Sequence, residues 1–278
     1  MDQQRTGSNN KLSDKEIKNE ELKLLRFFHQ ICVQNSFQYS LAGGSLLGAI
    51  RHEGFIPWDD DIDILMKRED YNAFIDYCSK HPIPFSVLDY KNNSEYGLGN
   101  AKICSKDTYL IEDTGIRGNY IEGVYLDLFP IDPFEDSLDE SIRLFNSIRP
   151  RLELLNAANW EKFALSKSRS IIMEPIRFVL FLLTRFVKPN AIVRGIELTI
   201  NRHRSAAKYS GCFYGTYRQK EILLSHIYAD VELRSFEGEQ FYCLKHYDEY
   251  LKCLYGDYMK LPPIEKQISH HGFEAYWK

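Results

Sequence analysis

The sequence predicts a mixed α+β protein, with alternating helices and strands in a core and a mostly helical second part. Up to residue 133 the apolar residues recur with helical and strand spacing in turn, whereas helical patterns dominate from 141 to 209. A chain of 278 residues with 44% hydrophobic residues can form one large domain or a core with an appendage. We therefore predict a core of residues 1–135 and a mainly helical part of residues 136–278.

The core begins with a helix over residues 14–34, because Ser13 and Glu16 form a capping-box pattern and apolar residues follow at helical spacing. Glycine, proline and alternating apolar residues divide the rest of the core. We predict strands over 39–42, 61–66, 85–88, 101–111 and 123–129, and helices over 46–51 and 68–79.

The second part is predicted to hold helices over 141–159, 170–187 and 191–209, with Pro150 and Pro189 as breaks. Residues 230–245 return to extended structure, and a last helix covers 247–259. The pattern from 171 to 187 is strongly apolar with basic residues at its edges. It fits either a buried core helix, which we favour slightly, or a peripheral membrane contact through residues 171–188.

Composition excludes some functions and leaves others open. A formal net charge of −4 argues against nucleic-acid binding. The first ten residues lack an apolar signal segment and no stretch is apolar enough to span a bilayer, so we expect a cytoplasmic protein, with peripheral attachment to the inner face of the cell membrane as an option. A zinc site can be drawn from four residues, but its spacing fits no standard pattern. These residues are Cys243, His246, Cys253 and His270.

An acidic run, Asp59-Asp60-Asp61-Ile62-Asp63, is the strongest functional signal. Like charges this close repel each other unless a cation neutralises them. On a strand, Asp61 and Asp63 would share one face, which suits a hard cation such as Mg²⁺. The alternatives are a solvated acidic loop or a calcium-binding turn; the spacing does not fit an EF-hand loop.

Two further features extend this hypothesis. The turn Gly43-Gly44-Ser45 precedes a helix whose free N–H groups can hold a phosphate, although such turns also serve as ordinary connections. Asp127 is the charged residue of an otherwise apolar strand pattern, so we predict a third metal ligand or a general base there, or else an edge-strand residue facing water. Asp132, beside Pro133, has the pattern of a turn residue.

The segment from Leu41 to Ile64 closely resembles the signature of LicD proteins, which include bacterial phosphocholine transferases and, more distantly, fukutin-related ribitol-phosphate transferases. Residues 125–132 resemble the second block of that family. The stretch Tyr250–Pro263 with His270-His271 resembles its C-terminal block, which we expect to pack on the core. The middle, from about 137 to 214, carries little of the likeness.

The resemblance implies a nucleotidyltransferase-like core similar to that of DNA polymerase beta. It implies that Asp61, Asp63 and Asp127 are the catalytic, metal-binding acids, with Asp59 in support and Mg²⁺ or Mn²⁺ as the cofactor. It also implies transfer of an alcohol phosphate from CDP-choline, or another CDP-alcohol, to a glycan or lipid-linked glycan, with release of CMP. Arg51 and Lys102 join the glycine turn as candidate donor-phosphate contacts; for Lys102 a snorkelling surface position is the alternative.

Two other functions remain open at this level. The first is a nucleotidyltransferase that moves a nucleoside monophosphate onto a small acceptor. The second is a binding subunit that keeps the fold without the chemistry. The intact acids argue against the binding subunit.

Overall fold

A mixed β-sheet forms the centre of the protein, in a computed structural model that describes residues 10–59, 61–112, 123–163, 165, 171–201, 207–267 and 273–278. The helices are α1 (Asp14–Asn35), α2 (Gly43–Arg51), α3 (Arg68–Lys80), α4 (Leu138–Asn159), α5 (Glu174–Thr184), α6 (Pro189–Ile200) and α7 (Tyr247–Tyr255). The strands are β1 (Tyr39–Leu41), β2 (Asp63–Lys67), β3 (Phe85–Leu88), β4 (Ala101–Ser105), β5 (Thr108–Glu112), β6 (Tyr125–Pro133), β7 (Tyr209–Gly211), β8 (Leu223–Leu224), β9 (Val231–Phe236), β10 (Glu239–Leu244) and β11 (Phe273–Trp277).

The strand order β3-β4-β6-β2-β1-β10-β9 puts β2 and β6 in the middle of the sheet. These two strands are parallel, whereas β1 and β4 flank them in the antiparallel direction. Their apolar side chains, such as Ile64 and Leu128, are fully buried, as expected for central strands covered on both faces. The predicted α+β class is therefore confirmed, while the nucleotidyltransferase-like type of the core stays a prediction.

Helix α1 forms as predicted and ends one residue later. Ser13 and Glu16 make the capping box in both directions, which satisfies donors at the first turn. Leu25 and Phe28 are buried on the face that packs against the sheet. The chain leaves the helix at Ser36, in the left-handed region with φ of 57°.

Three predictions in the core need correction. Residues 101–111 form two strands, because the chain turns after Ser105 and β5 pairs with β11 outside the main sheet. Helix α2 begins at Gly43, so the glycine turn is its first turn. Strand β2 begins at Asp63, two residues later than predicted, so Asp61 lies just before the strand.

Two predictions in the second part are also wrong. Pro150 lies inside α4 and does not end it. The helix loses one backbone hydrogen bond there. Ile148 and Leu155, on either side of the proline, are buried in the same apolar cluster and hold the helix together. The predicted helix over 191–209 is shorter: α6 ends at Ile200, and Tyr209 begins strand β7, which pairs with the end of β6. Residues 202–206 lie outside the described residues.

Strands from both predicted parts build the central sheet. The β9–β10 hairpin, within the predicted extended stretch, adds to the sheet through parallel pairing of Leu41 with Cys243. Helices α4 and α6 pack on each other in a second apolar cluster that includes Phe145 and Ile196. The boundary near residue 135 stays a prediction.

Helix α5 is not a core helix, so the slightly favoured interpretation of residues 171–187 is wrong. Its apolar side chains, including Val179, Leu183 and the following Phe186, are exposed to solvent. Buried residues such as Thr184 face α4 instead. Among the described residues, no helix combines the length and apolar character needed to cross a membrane.

Candidate functional site

Two acids meet at the centre of the sheet. Asp63 and Asp127 occupy opposed register positions on the parallel strands β2 and β6. On the other side of Asp127, β4 brings Lys102 into register with it. The strand pairing therefore joins residues that are separated by up to 64 positions in the chain.

Lys102 forms an ion pair with Asp127. Its Nζ lies 2.9 Å from each carboxylate oxygen of Asp127, and 3.4 Å from the centre of the Tyr125 ring. Asn100 donates a further hydrogen bond from Nδ2 to Oδ1 of Asp127. Because Lys102 is buried, the surface-lysine alternative is wrong. The edge-strand alternative for Asp127 is also wrong, since β6 has strands on both sides.

The two glycines at the start of α2 allow the acids to approach the helix closely. A methyl group built at Gly44 would lie 2.2 Å from Oδ2 of Asp59, and one at Gly43 would lie 3.1 Å from Oδ2 of Asp63. Gly43 also has φ of 49°, which few other residues adopt. The positive end of the α2 dipole, at the N-terminus of the helix, faces these carboxylates. The N-cap residue Ala42 has no side-chain acceptor for the first amide groups of the helix.

Ser45 ties the acidic loop to α2. Its hydroxyl accepts a hydrogen bond from the amide of Asp63 at 2.9 Å and lies 3.3 Å from the carbonyl oxygen of Asp61, to which it donates. The side chain is buried. Ser45 therefore fixes the point at which the acidic loop becomes strand β2.

Several carboxylates converge on Asp63 in this site. Burial raises the pKa of Asp63 well above its usual range, and the carboxylates of Asp61, Asp127 and Asp59 raise it further, while Lys102 acts in the opposite direction. Carboxylate oxygens that surround a half-buried acid in this way suit a hard divalent cation, so the donor set fits Mg²⁺ or Mn²⁺. Asp60 lies outside the described residues.

The described aspartates of the site do not form a compact set of three metal ligands. Among the described residues, the group of three whose ligand atoms all lie within 4.8 Å of one another is His226, His246 and Glu249, not a set of aspartates. The described aspartates therefore do not form a preformed cage, and water and substrate phosphate would have to supply the remaining ligands of a magnesium ion there.

Residues near the C-terminus close the site from the other side of Gly43. The hydroxyl of Tyr250 on α7 lies 3.3 Å from the amide nitrogen of Gly43, and that of Tyr255 lies within van der Waals distance of a methyl group built at Gly43. Arg51 donates from Nη1 to the carbonyl oxygen of Tyr258 at 2.6 Å. Tyr250 is the first residue of the expected C-terminal block, and its place in the main apolar cluster agrees with packing on the core.

Comparisons with known proteins agree with this geometry. A family model described as LicD/FKTN/FKRP, nucleotidyltransferase domain, matches residues 36–145. The lipopolysaccharide cholinephosphotransferase LicD of Haemophilus influenzae is 30% identical over 259 residues, which cover 92% of this chain and 94% of that protein. The chain belongs to the LicD family.

Two further relatives of this LicD-family chain come from Rickettsia. An uncharacterised protein of Rickettsia prowazekii is 25% identical over 224 residues, which cover 70% of this chain and 81% of that protein. One of Rickettsia typhi is 44% identical over 48 residues, which cover 17% and 16%. The predicted resemblance to LicD proteins is confirmed by the Haemophilus relative and the family model together.

The LicD-family segment 36–145 contains the acids, the glycine turn, Arg51 and Lys102. Sequence reasoning missed Asn100 and Tyr250 as members of the site. For Asn100 the available signal was its position two residues before Lys102 on the same chain segment. For Tyr250 it was its place at the start of the C-terminal block.

A second charged cluster lies at the opposite end of β2 and β6. Arg68 donates from Nε and Nη2 to the two carboxylate oxygens of Asp132, both at 2.7 Å, and from Nη1 to Glu197 at 3.1 Å. All three side chains are buried. The interpretation of Asp132 as a turn residue is therefore wrong: it belongs to β6 and anchors the start of α3.

A cavity of about 150 Å³ opens beside the site. Asn100, which contacts Asp127, is part of its wall, and α4 contributes Arg149 and Asn159. The side-chain oxygen of Asn159 is buried and has no hydrogen-bond partner among the described residues. A larger cavity of about 530 Å³ lies next to Lys67, at the end of β2 away from the carboxylates.

The four residues drawn together as a zinc site are not grouped in the described part of the chain. Cys243 is buried in the main core, and Cys253 donates from Sγ to the carbonyl oxygen of Lys220 at 3.2 Å. His246 lies instead beside His226 and Glu249. His270 lies outside the described residues.

Proposed function

We propose that the protein transfers phosphocholine, or another alcohol phosphate, from a CDP-alcohol to a sugar hydroxyl of a cell-surface glycan or its lipid-linked precursor, releasing CMP. The observation that carries this proposal is the likeness to the Haemophilus cholinephosphotransferase over nearly the whole chain, combined with the acids gathered around Asp63. Choline is the preferred alcohol because the Haemophilus relative is a cholinephosphotransferase. Ribitol or glycerol phosphate would fit the same acids.

In this proposal Asp61, Asp63 and Asp127 hold Mg²⁺ or Mn²⁺, and Asp59 supports them. When bound, the ion would neutralise charge on the diphosphate of the donor. The convergence of the Asp61, Asp127 and Asp59 carboxylates on Asp63 supports this assignment, because like charges this close repel one another and a divalent cation relieves that repulsion.

The donor phosphates would lie at the N-terminus of α2, beside the acids; Arg51 is the last residue of α2, at the opposite end of the helix, and donates to the carbonyl oxygen of Tyr258. Amide groups of Gly44 and Ser45 would bind phosphate oxygens there, because a helix N-terminus favours anions, whereas the amide of Gly43 already donates to the hydroxyl of Tyr250. Lys102 holds Asp127 by its ion pair and lies close enough to the acids to contact a phosphate in the same space. Asp127 would then either accept the proton of the attacking hydroxyl or complete the metal ligands.

The acceptor sugar would enter the cavity beside Asn100. Its wall combines arginine, asparagine and aromatic side chains, whose polar groups and ring faces suit a sugar. We expect Arg149→Ala to raise the KM for the acceptor several-fold while leaving the KM for the donor unchanged. Arg143→Ala, an exposed change on the same helix, is the control. Equal KM values in all three proteins would refute this placement.

Labelled CDP-choline tests the reaction itself. With label in the choline phosphate, incubation with Mg²⁺ and an acceptor glycan should release CMP and move the label into the glycan. With label in the cytidine, the glycan should stay unlabelled. Transfer of cytidine to the acceptor would instead identify a nucleotidyltransferase, and donor binding without turnover would identify a binding subunit.

A further inference from the structure

The outward face of α5 and the turn before it form an exposed apolar surface. Phe186 is 96% exposed, and Ile171 and Ile172 are each 79% exposed. Other exposed apolar residues continue this surface along α5: Ile176, Phe178, Val179, Leu182 and Leu183. Scattered exposed apolar residues are ordinary, but a continuous surface of this kind marks an interaction site.

The polar groups of α5 point away from this surface. Arg185 donates from Nη2 to the carbonyl oxygens of Ala157 and Ala158 at the end of α4, both at 3.3 Å. Arg177 pairs with Glu174 and lies 4.6 Å from the Trp160 ring centre. The helix is thus held on α4 by its charged side, which leaves the apolar side turned outward.

The chain around α5 is basic, although the whole protein is acidic. Residues 162–196 contain seven Lys or Arg residues and one acidic residue, Glu174, whereas the full chain has a formal net charge of −4. Since Glu174 is paired with Arg177, it does not oppose an anionic partner at this surface. An apolar face within a basic segment complements a lipid bilayer that carries negatively charged headgroups.

We propose that α5 lies in the interface of an anionic membrane, with Phe178, Leu183 and Phe186 in the acyl region and the exposed Lys162 and Lys188, which flank α5 in the chain, at the headgroups. The helix of 11 residues is too short to cross the bilayer, so it would lie along the surface. This placement is independent of the proposed transfer reaction, because it rests on α5 and the basic segment alone. It would bring the site to the surface that carries a lipid-linked acceptor.

Flotation with phospholipid vesicles tests the proposal. The full-length protein should bind vesicles that contain phosphatidylglycerol, and it should bind pure phosphatidylcholine vesicles at least tenfold more weakly. The double variant Leu183→Glu/Phe186→Glu should bind the anionic vesicles at least tenfold more weakly than the wild type. The control Ile264→Glu changes a residue that is 82% exposed outside this surface, and it should bind as the wild type does.

Folding and oligomeric state complete the test. Circular dichroism should show the same melting temperature for the double variant and the wild type, because Leu183 and Phe186 are both exposed. If the melting temperature of the double variant falls, the single variant Val179→Glu, at another exposed position of this surface, is tested in its place. Equal vesicle binding by the wild type and the folded variant would overturn the proposal. So would a wild-type dimer in light scattering that the variant abolishes, without any vesicle binding, since the face would then join two copies of the chain.

Discussion

The two ends of the β2–β6 pair carry half-buried or buried charges in opposite arrangements. At the end with Asp63, the carboxylates of Asp59, Asp61 and Asp127 converge on that of Asp63, and Lys102 pairs with Asp127. At the other end, Arg68 donates hydrogen bonds to both carboxylate oxygens of Asp132 and to Glu197. Buried ion pairs whose hydrogen bonds are satisfied are compatible with a purely structural role, whereas an excess of one charge in a cleft suggests function.

Substitution of Asp63 should give the largest difference between the two ends. We expect Asp63→Asn to lower the proposed transfer activity by about 10³-fold or more, because it removes a carboxylate of the proposed metal site without changing the shape of the side chain. Its melting temperature should stay equal or rise, since one of several repelling carboxylates loses its charge. Steady-state kinetics and calorimetry measure the two effects. Asp76→Asn, an exposed change, is the control, and wild-type activity in Asp63→Asn would refute the metal site.

Substitution of Arg68 should have the opposite effect. Arg68→Met leaves two buried carboxylates without their cation, so we expect the free energy of unfolding to fall by about 3–5 kcal/mol. Arg26→Met, which breaks an exposed ion pair with Glu239, should lower it by about 1 kcal/mol or less. Denaturant titration measures both changes. A loss in Arg68→Met no greater than that in Arg26→Met would show that this cluster is not structural.

The sequence predicted the acids better than their surroundings. Asp63 was found because it belongs to a run of aspartates whose like charges repel one another, and Asp127 because a charge in an apolar strand pattern needs a partner; both signals are local. The pairing of Lys102 with Asp127 depends on β4 lying beside β6, and the cluster of Arg68 with Glu197 depends on α6 packing near α3. Neither contact between these distant residues produces a periodic pattern in the sequence, so both were missed by reasoning from the sequence.

The fold was predictable to a similar extent. Capping residues and periodicity located α1 to within one residue, because those signals are local. The exposure of α5 could not be predicted, since an apolar helix has the same pattern in a core and at a membrane surface. The place of β10 beside β1 could not be predicted either, because parallel pairing over some 200 residues depends on the whole sheet.

Substitution of Lys102 should sharpen the description of the acidic end. We expect Lys102→Met to lower transfer activity by about 10–100-fold, because Asp127 loses the group that orients it. Since the variant lacks a cation that competes for Asp127, added Mg²⁺ should raise its melting temperature more than that of the wild type. Thermal unfolding with and without Mg²⁺ measures this difference. A smaller Mg²⁺ effect in the variant would contradict the idea that Lys102 and the ion share Asp127.

Glu221 offers a third arrangement, a buried acid that accepts a hydrogen bond from the backbone amide of Tyr217 at 2.8 Å. Burial raises the pKa of Glu221 from 4.5 to about 7, against that hydrogen bond. The folded protein holds the proton of the Glu221 carboxyl more tightly than the unfolded chain does. The contribution of protonated Glu221 to the free energy of unfolding is therefore complete below about pH 4.5 and is lost as the pH rises through about 7.

The variant Glu221→Gln should lack this dependence. The free energy of unfolding of the wild type, relative to that of Glu221→Gln, should therefore fall by on the order of 3 kcal/mol between pH 4.5 and pH 8. Other titrating groups, Asp63 included, are present in both proteins and cancel in the comparison. Denaturant titrations across this range measure the difference. A constant difference would mean that Glu221 ionises as easily in the folded protein as in the unfolded chain, and that the backbone amide alone offsets its burial.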